Sequence, residues 1–403
     1  MGNITKNSVL RKCLQRLAFH SFRCPFEDHY SKKLTVGATV TLFVEAQFQQ
    51  RRFLPDIVLN LQTNSELQDL IEISTIHESS LNRKLDAIPL AYLEWLFTEL
   101  VRELKVRKAE AKGIQHFGKL TPVDSTSISL PKVLGDWAFY QSKTKGVKMH
   151  VRLLSVEAGC HFPDEIVLST IGVSDQQAVK RLVIPAETTY IFDRGYVNYG
   201  NFREWSESEG ALLFVARLRA KTKYTVQAER PVSSHSPISR DADVEILDKT
   251  SGQTFHVRLV QFQDQQGKVY EVITNRQDLS AEDIGEIYRC RWQIELFFKW
   301  IKQHLATIHF HNHHPHAVWV QCYIAIITAL ICQLIHLEIQ TSQSVWNMLR
   351  MMRYYAREDW EDFIKALNRE PTRSSKGRQK VPKLEEPHAQ TKEKRATVKI
   401  ILA

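Results

Sequence analysis

The stretch YRCRWQIELFFKWIK, residues 288–302, mixes a phenol and several charges into a run otherwise rich in aromatic and aliphatic side chains. At about 100° per residue, a helix places Arg291, Glu295 and Lys302 at roughly −60°, −20° and −40° from Tyr288. These four share one narrow stripe. Ile287, Ile294, Phe298, Ile301 and Leu305 fall between about −80° and −140°, an adjoining apolar stripe. The pattern predicts one helix with a buried edge and, beside it, a line of groups suited to phosphate and metal.

The rest of the chain sets the bounds. Its 403 residues favour two or three domains, or one domain with insertions. A hydrophobic content of 43% is enough for a sizeable core. The net charge of +9 favours a polyanionic partner, but residues 369–399 hold ten Lys/Arg against four Glu and so carry +6 of it. Cys13, Cys24, Cys160, Cys290, Cys322 and Cys332 form no CxxC pair, as expected of reduced thiols in a cytosol. MGNITKNSVL lacks the apolar core of a secretory signal. WVQCYIAIITALICQLIHL (319–337) is long enough to span a membrane. It carries Gln321, Thr328, Gln333 and His336 and lacks anchors on both sides, so it reads as a buried core helix.

Residues 1–110 read as helical. Within ISTIHESSLNRKLDAIP (73–89), Arg83 and Lys84 on a polar helix either contact DNA, as in a helix-turn-helix, or face solvent. From 122 onward the character changes. PVDSTSISL, GVKMHVRLLSV, TTYIFDRGY and ALLFVARLRA read as strands, with helices at 174–182, opened by Ser174, and at 198–210. That order belongs to a mixed α/β domain. Residues 225–275 read as a β-rich insertion. After it Ser280 and Asp283 form a capping box, with Leu279 and Ile284 as a hydrophobic staple.

Asp124 and Asp193 stand in or at the end of strand-like segments, where a carboxylate is expensive to bury. Singly, each reads as an Asx-turn. With Glu295 they form a different pattern: three convergent carboxylates suit Mg²⁺ or Mn²⁺, and two such ions can activate a nucleophile and stabilise a leaving oxygen. Arg291 and Lys302 could then hold the phosphate under attack.

Taken together these residues resemble the DDE transposases of bacterial insertion sequences, in the family named after insertion sequence four. Its helix signature is matched by Tyr288, Arg291, Glu295 and Lys302, its first Asp by Asp124 in VDST, and its second by Asp193 in DRGY. The resemblance covers roughly 115–335. It implies an α/β, ribonuclease-H-like catalytic domain over 115–335, with the β-rich insertion at 225–275. An N-terminal helical DNA-binding region (1–110), a C-terminal helical region (336–368) and a basic tail (369–403) complete the organisation. It also implies two Mg²⁺ or Mn²⁺ ions on Asp124, Asp193 and Glu295, and phosphate contacts from Tyr288, Arg291 and Lys302. Its partner would be double-stranded DNA, transposon ends and target, bound by a homodimer. Related hairpin-forming enzymes place an aromatic near Tyr270, which would stack on a flipped base or else pack in its own sheet. A metal-dependent nuclease of the same fold, or a transposase-derived DNA-binding protein, remains the alternative.

Two features stand apart. HLATIHFHNHHPHAVW (304–319) places His304, His309, His311, His313, His314 and His316 close together without cysteine partners, so it reads as a polar loop before a zinc site. The tail 373–399 reads as a disordered basic arm, with non-specific DNA contact as its functional option.

Overall fold

A computed structural model describes residues 7–17, 23–131, 135–140, 144–185, 187–207, 212–264, 266–305 and 309–369. The tail 370–403 and, in the histidine-rich stretch, residues 306–308 lie outside the described residues.

Among the described residues ten strands form one mixed sheet: β1 (Leu120–Ser129), β2 (Phe139–Tyr140), β3 (Thr144–Glu157), β4 (Cys160–Thr170), β5 (Thr189–Phe192), β6 (Leu213–Arg217), β7 (Tyr224–Glu229), β8 (Ile238–Asp248), β9 (Gln253–Gln263) and β10 (Val269–Thr274). The order runs β2-β3-β1-β5-β6-β10-β9-β8-β7, and β4 pairs β3. β3 is antiparallel to β1 and to β4, whereas β1, β5 and β6 are mutually parallel. β10 returns antiparallel to β6, so the strands of 224–274 extend the same sheet rather than forming a separate one.

β4 is a strand that the sequence pattern did not announce. It contains Pro163, which cannot donate to a ladder and sits where β3–β4 pairing slips between Arg152 and Leu153. The ion pair of Arg152 with Asp164, 2.7 Å and buried on both sides, holds that irregular segment.

The helices are α1 (Val9–Leu14), α2 (Val36–Gln49), α3 (Leu54–Thr63), α4 (Ser65–Ile71), α5 (Glu78–Asp86), α6 (Leu90–Arg107), α7 (Asp175–Leu182), α8 (Tyr199–Glu207), α9 (Ala281–Arg289), α10 (Trp292–His304), α11 (Pro315–Ile339), α12 (Val345–Tyr354) and α13 (Trp360–Leu367). α7 and α8 cover one face of the sheet through Ala178, Val179, Leu182 and Phe202, packed on Val123, Tyr190, Phe192 and Phe214. α9 covers the other through Ile284, Ile287 and Tyr288, packed on Leu120, Ile191 and Val215. Side chains alternate along a strand, so even positions of β1 and odd positions of β5 face α9.

α11 is the apolar stretch expected to be a core helix. Its mean hydropathy of 2.1 and 25-residue length would suit a membrane, yet 94% of its apolar window is buried within the protein. It shares one hydrophobic cluster with α1, α2, α6, α10, α12, β3 and β4, so the N-terminal helices and the sheet are joined by a continuous core.

The single helix expected at 288–302 is broken. α9 ends at Arg289 and α10 starts at Trp292. Cys290 and Arg291 keep right-handed helical backbone, but Arg291 N–H bonds Tyr288 O and Ile294 N–H bonds Arg291 O, both i→i+3 contacts. Such bonds tighten the turn beyond 100° per residue, so the simple stripe fails across the break.

Candidate active site

Register brings the first two carboxylates together. In the parallel ladder Val123 pairs with Phe192 and Phe192 with Ala216, so the next row across the sheet reads Asp124, Asp193, Arg217. Asp124 lies midway along β1, just past its pairing with β5, while Asp193 follows the last residue of β5 and Arg217 ends β6. Alternation along the strands turns all three toward the face covered by α9. Arg217 Nη1 lies 3.7 Å from Asp193 Oδ1.

The helical break supplies the third. Tyr288 hydroxyl donates to Asp193 Oδ1 at 3.2 Å. Arg291 Nη2 donates to Glu295 Oε1 at 2.6 Å, and its Nη1 stands 3.8 Å from Asp124 Oδ2. The Arg291 guanidinium also lies over the Tyr288 ring, 5.8 Å from its centre. Lys302 Nζ donates to Ser127 O at 2.8 Å, on the same strand as Asp124. Tyr288, Arg291 and Glu295 therefore meet despite the broken stripe, while Lys302 sits further along β1.

Asp124 and Glu295 flank Arg291, whereas Asp193 is held by Tyr288 and Arg217. Among the described residues no three His, Cys, Asp or Glu side chains lie close enough to ligate a single ion as they stand. The Arg291 guanidinium stands between Asp124 and Glu295. Burial pushes the Asp124 carboxyl up to about 6; the Ser125 N–H and Arg291 oppose the rise, and the charges of Asp193 and Asp175 add to it. Burial raises the Tyr288 phenol, and neighbouring Asp193 raises it further.

Tyr270 is half-buried, its ring stacked on Phe262 at 5.4 Å and 10°, with Arg217 and Lys268 cations 4.8 and 5.1 Å from its centre. Tyr288 lies 5.9 Å away, so Tyr270 borders the site. Arg83 on α5 is exposed and touches Ser80. Lys84 corrects the expectation of a phosphate contact, because its ammonium is turned inward onto Asp28 at 2.5 Å, Glu27 O and Ser31. Asp28 is buried and also caps the start of α2 at Val36 N–H, which makes the Lys84 charge a structural counter-ion. In the histidine stretch, His314 bonds Asp86 and His316 bonds Ile88 O, so these two clasp the end of α5.

Sequence reasoning missed Arg217 and Asp175. Arg217 ends an ordinary apolar strand, and Asp175 looks like any acidic residue in a first helical turn. Only the ladder register and the sheet's layering reveal them.

Two carboxylates side by side on adjacent parallel strands and a third beside a cationic helix turn are groups suited to divalent cations and phosphate. Residues 115–331, over half the chain, match the family profile of the transposase DDE domain, and the protein belongs to that family. It is similar to the putative transposase y4zB of Sinorhizobium fredii, 31% identical over 210 residues, 51% of this chain and 57% of that protein. It is also similar to the probable transposase for insertion sequence element IS5377 of Geobacillus stearothermophilus, 23% identical over 83% of this chain and 87% of that one. The putative transposase for insertion sequence element IS4SA of Synechocystis is 23% identical over 71% and 78%.

Proposed function

We propose that this DDE transposase cuts DNA at the ends of its own insertion sequence and joins the freed strand to target DNA, using Asp124, Asp193 and Glu295 to hold two Mg²⁺ or Mn²⁺ ions. The observation that carries the reading is the register that sets Asp124 and Asp193 side by side beneath the turn bearing Arg291 and Glu295. The strand order β4-β3-β1-β5-β6, antiparallel then parallel, supports a ribonuclease-H-like core.

The donor set fits such ions. It consists of hard oxygen ligands, one of them a carboxyl raised to about 6 by burial and by its acidic neighbours, a setting that a bound dication would relieve. Asp193 and Glu295 keep about a third of their side-chain surface exposed, so ions and DNA can reach them. When bound, the ions would activate the attacking hydroxyl and neutralise the leaving oxygen. Arg291 then gives up its bridge and turns a bidentate fork to phosphate. Tyr288 orients Asp193, and Arg217 offsets the negative charge beside it. No covalent link to the protein is required, because positioning and charge stabilisation suffice. The DNA-bound form is read as a homodimer on paired transposon ends.

The test is Asp193→Asn with end-sequence DNA. Cleavage should vanish while end binding persists, since one ligand charge matters little to the wider DNA surface. Wild-type cleavage by the variant, or full wild-type activity in EDTA, would remove the proposal.

A further inference from the structure

Between β1 and the α7 layer lies a polar cluster that touches none of the phosphate-facing groups. Asp175, the first residue of α7, accepts from Ser125 Oγ at 2.8 Å and from Lys148 Nζ at 3.3 Å. His150 Nδ1 lies 3.5 Å from the same carboxylate oxygen and 3.3 Å from Tyr196 hydroxyl, and its Nε2 reaches Ser169 Oγ at 3.1 Å. His150 is fully buried. On the other side Gly195 comes so close that a Cβ there would stand 2.9 Å from Asp175 Oδ2.

Three members of the cluster lie within three positions of a proposed metal ligand. Ser125 follows Asp124, and Gly195 and Tyr196 follow Asp193 by two and three positions. Consecutive strand side chains point to opposite faces, so pinning Ser125 to the α7 layer aims Asp124 at the α9–α10 layer. Gly195 packed on Asp175 fixes the turn that carries Asp193. One carboxylate thus grips both segments from behind the sheet, and its charge is felt at Asp124.

We infer that Asp175 is a positioning residue for the metal site, setting the separation of Asp124 and Asp193 through Ser125 and the Gly195 turn. The inference rests on the metal-site reading above. Groups that orient ligands from behind commonly cost about 10–100-fold in metal affinity when removed. An ordinary residue of a helix's first turn would instead affect only stability.

The experiment titrates end cleavage with Mn²⁺ and with Mg²⁺ for wild type, Asp175→Asn, Ser125→Ala and Asp124→Asn, alongside end-DNA binding and thermal melts. For Asp175→Asn the half-activating metal concentration should rise about tenfold, with end binding and the cleavage rate at saturating metal close to wild type. Ser125→Ala should shift the midpoint the same way by less, and it carries the test alone if Asp175→Asn fails to fold. Unchanged metal midpoints in both variants, or a loss tracking only the melting temperature, would overturn the inference. Activity in Asp124→Asn would instead overturn the metal-site reading itself, so the two failures are distinguishable.

Discussion

Asp124 links the site to folding stability. Its carboxyl is raised from 3.8 to about 6, chiefly by burial. A folded pKa above the unfolded one means that the native state holds the proton more tightly. Stability is therefore lost as pH rises from about 4 to about 6 and stays lower above that window. Asp124→Asn should raise the melting temperature of the metal-free protein at pH 7 by an amount worth up to about 3 kcal/mol, a figure that already includes the opposing pull of Arg291. Near pH 4 the two proteins should melt alike. A lower melting temperature for the variant at pH 7 would contradict the assignment. Tyr270 gives a second prediction at this scale: with a base flipped from the end, a stacked aromatic returns about 1–3 kcal/mol of the cost. Tyr270→Ala should nick the first strand nearly normally and stall at hairpin formation or resolution, read on a gel separating nicked, hairpin and fully cut DNA. Equal loss of all products would make Tyr270 a packing residue against Phe262.

Among the elements, legibility followed the strength of local signals. The Ser280–Asp283 capping box forms as read, with both reciprocal bonds, and Leu279 packs in the same cluster as Ile284. α7 opens on Ser174 as expected. β4 was illegible because Pro163 and flanking polar residues blur its alternation, and pairing with β3 overrides that. The break at Cys290–Arg291 has no Gly or Pro to announce it. Lys84 looked like a free cation because its partner Asp28 is 56 positions away. The start of α9 is held by another long-range device: Arg258, buried, forks onto Asp241 at 2.8 Å twice and donates to Leu279 O at 2.6 Å. Arg258→Ala should cost about 3–5 kcal/mol in urea unfolding, because Asp241 is left buried and uncompensated. A change below about 1 kcal/mol would mean that α9 is anchored by its apolar face alone.

At the scale of the molecule, α11 ties the N-terminal helices to the sheet that carries the site. Leu330, fully buried at its centre, belongs to the cluster that joins them. Leu330→Ala should cost about 2–5 kcal/mol, with one cooperative transition reported alike by near-ultraviolet and far-ultraviolet dichroism. Two separated transitions would mean that the halves unfold independently. The proposed function requires that Asp124, Asp193 and Glu295 hold divalent metal. Anomalous diffraction from Mn²⁺ in crystals of the protein bound to transposon-end DNA tests it most directly. Manganese should appear between the Asp124 and Asp193 carboxylates, with Glu295 alongside and Arg291 withdrawn from its bridge onto phosphate. Manganese bound elsewhere, with Arg291 still joining Asp124 to Glu295 against the DNA, would contradict it.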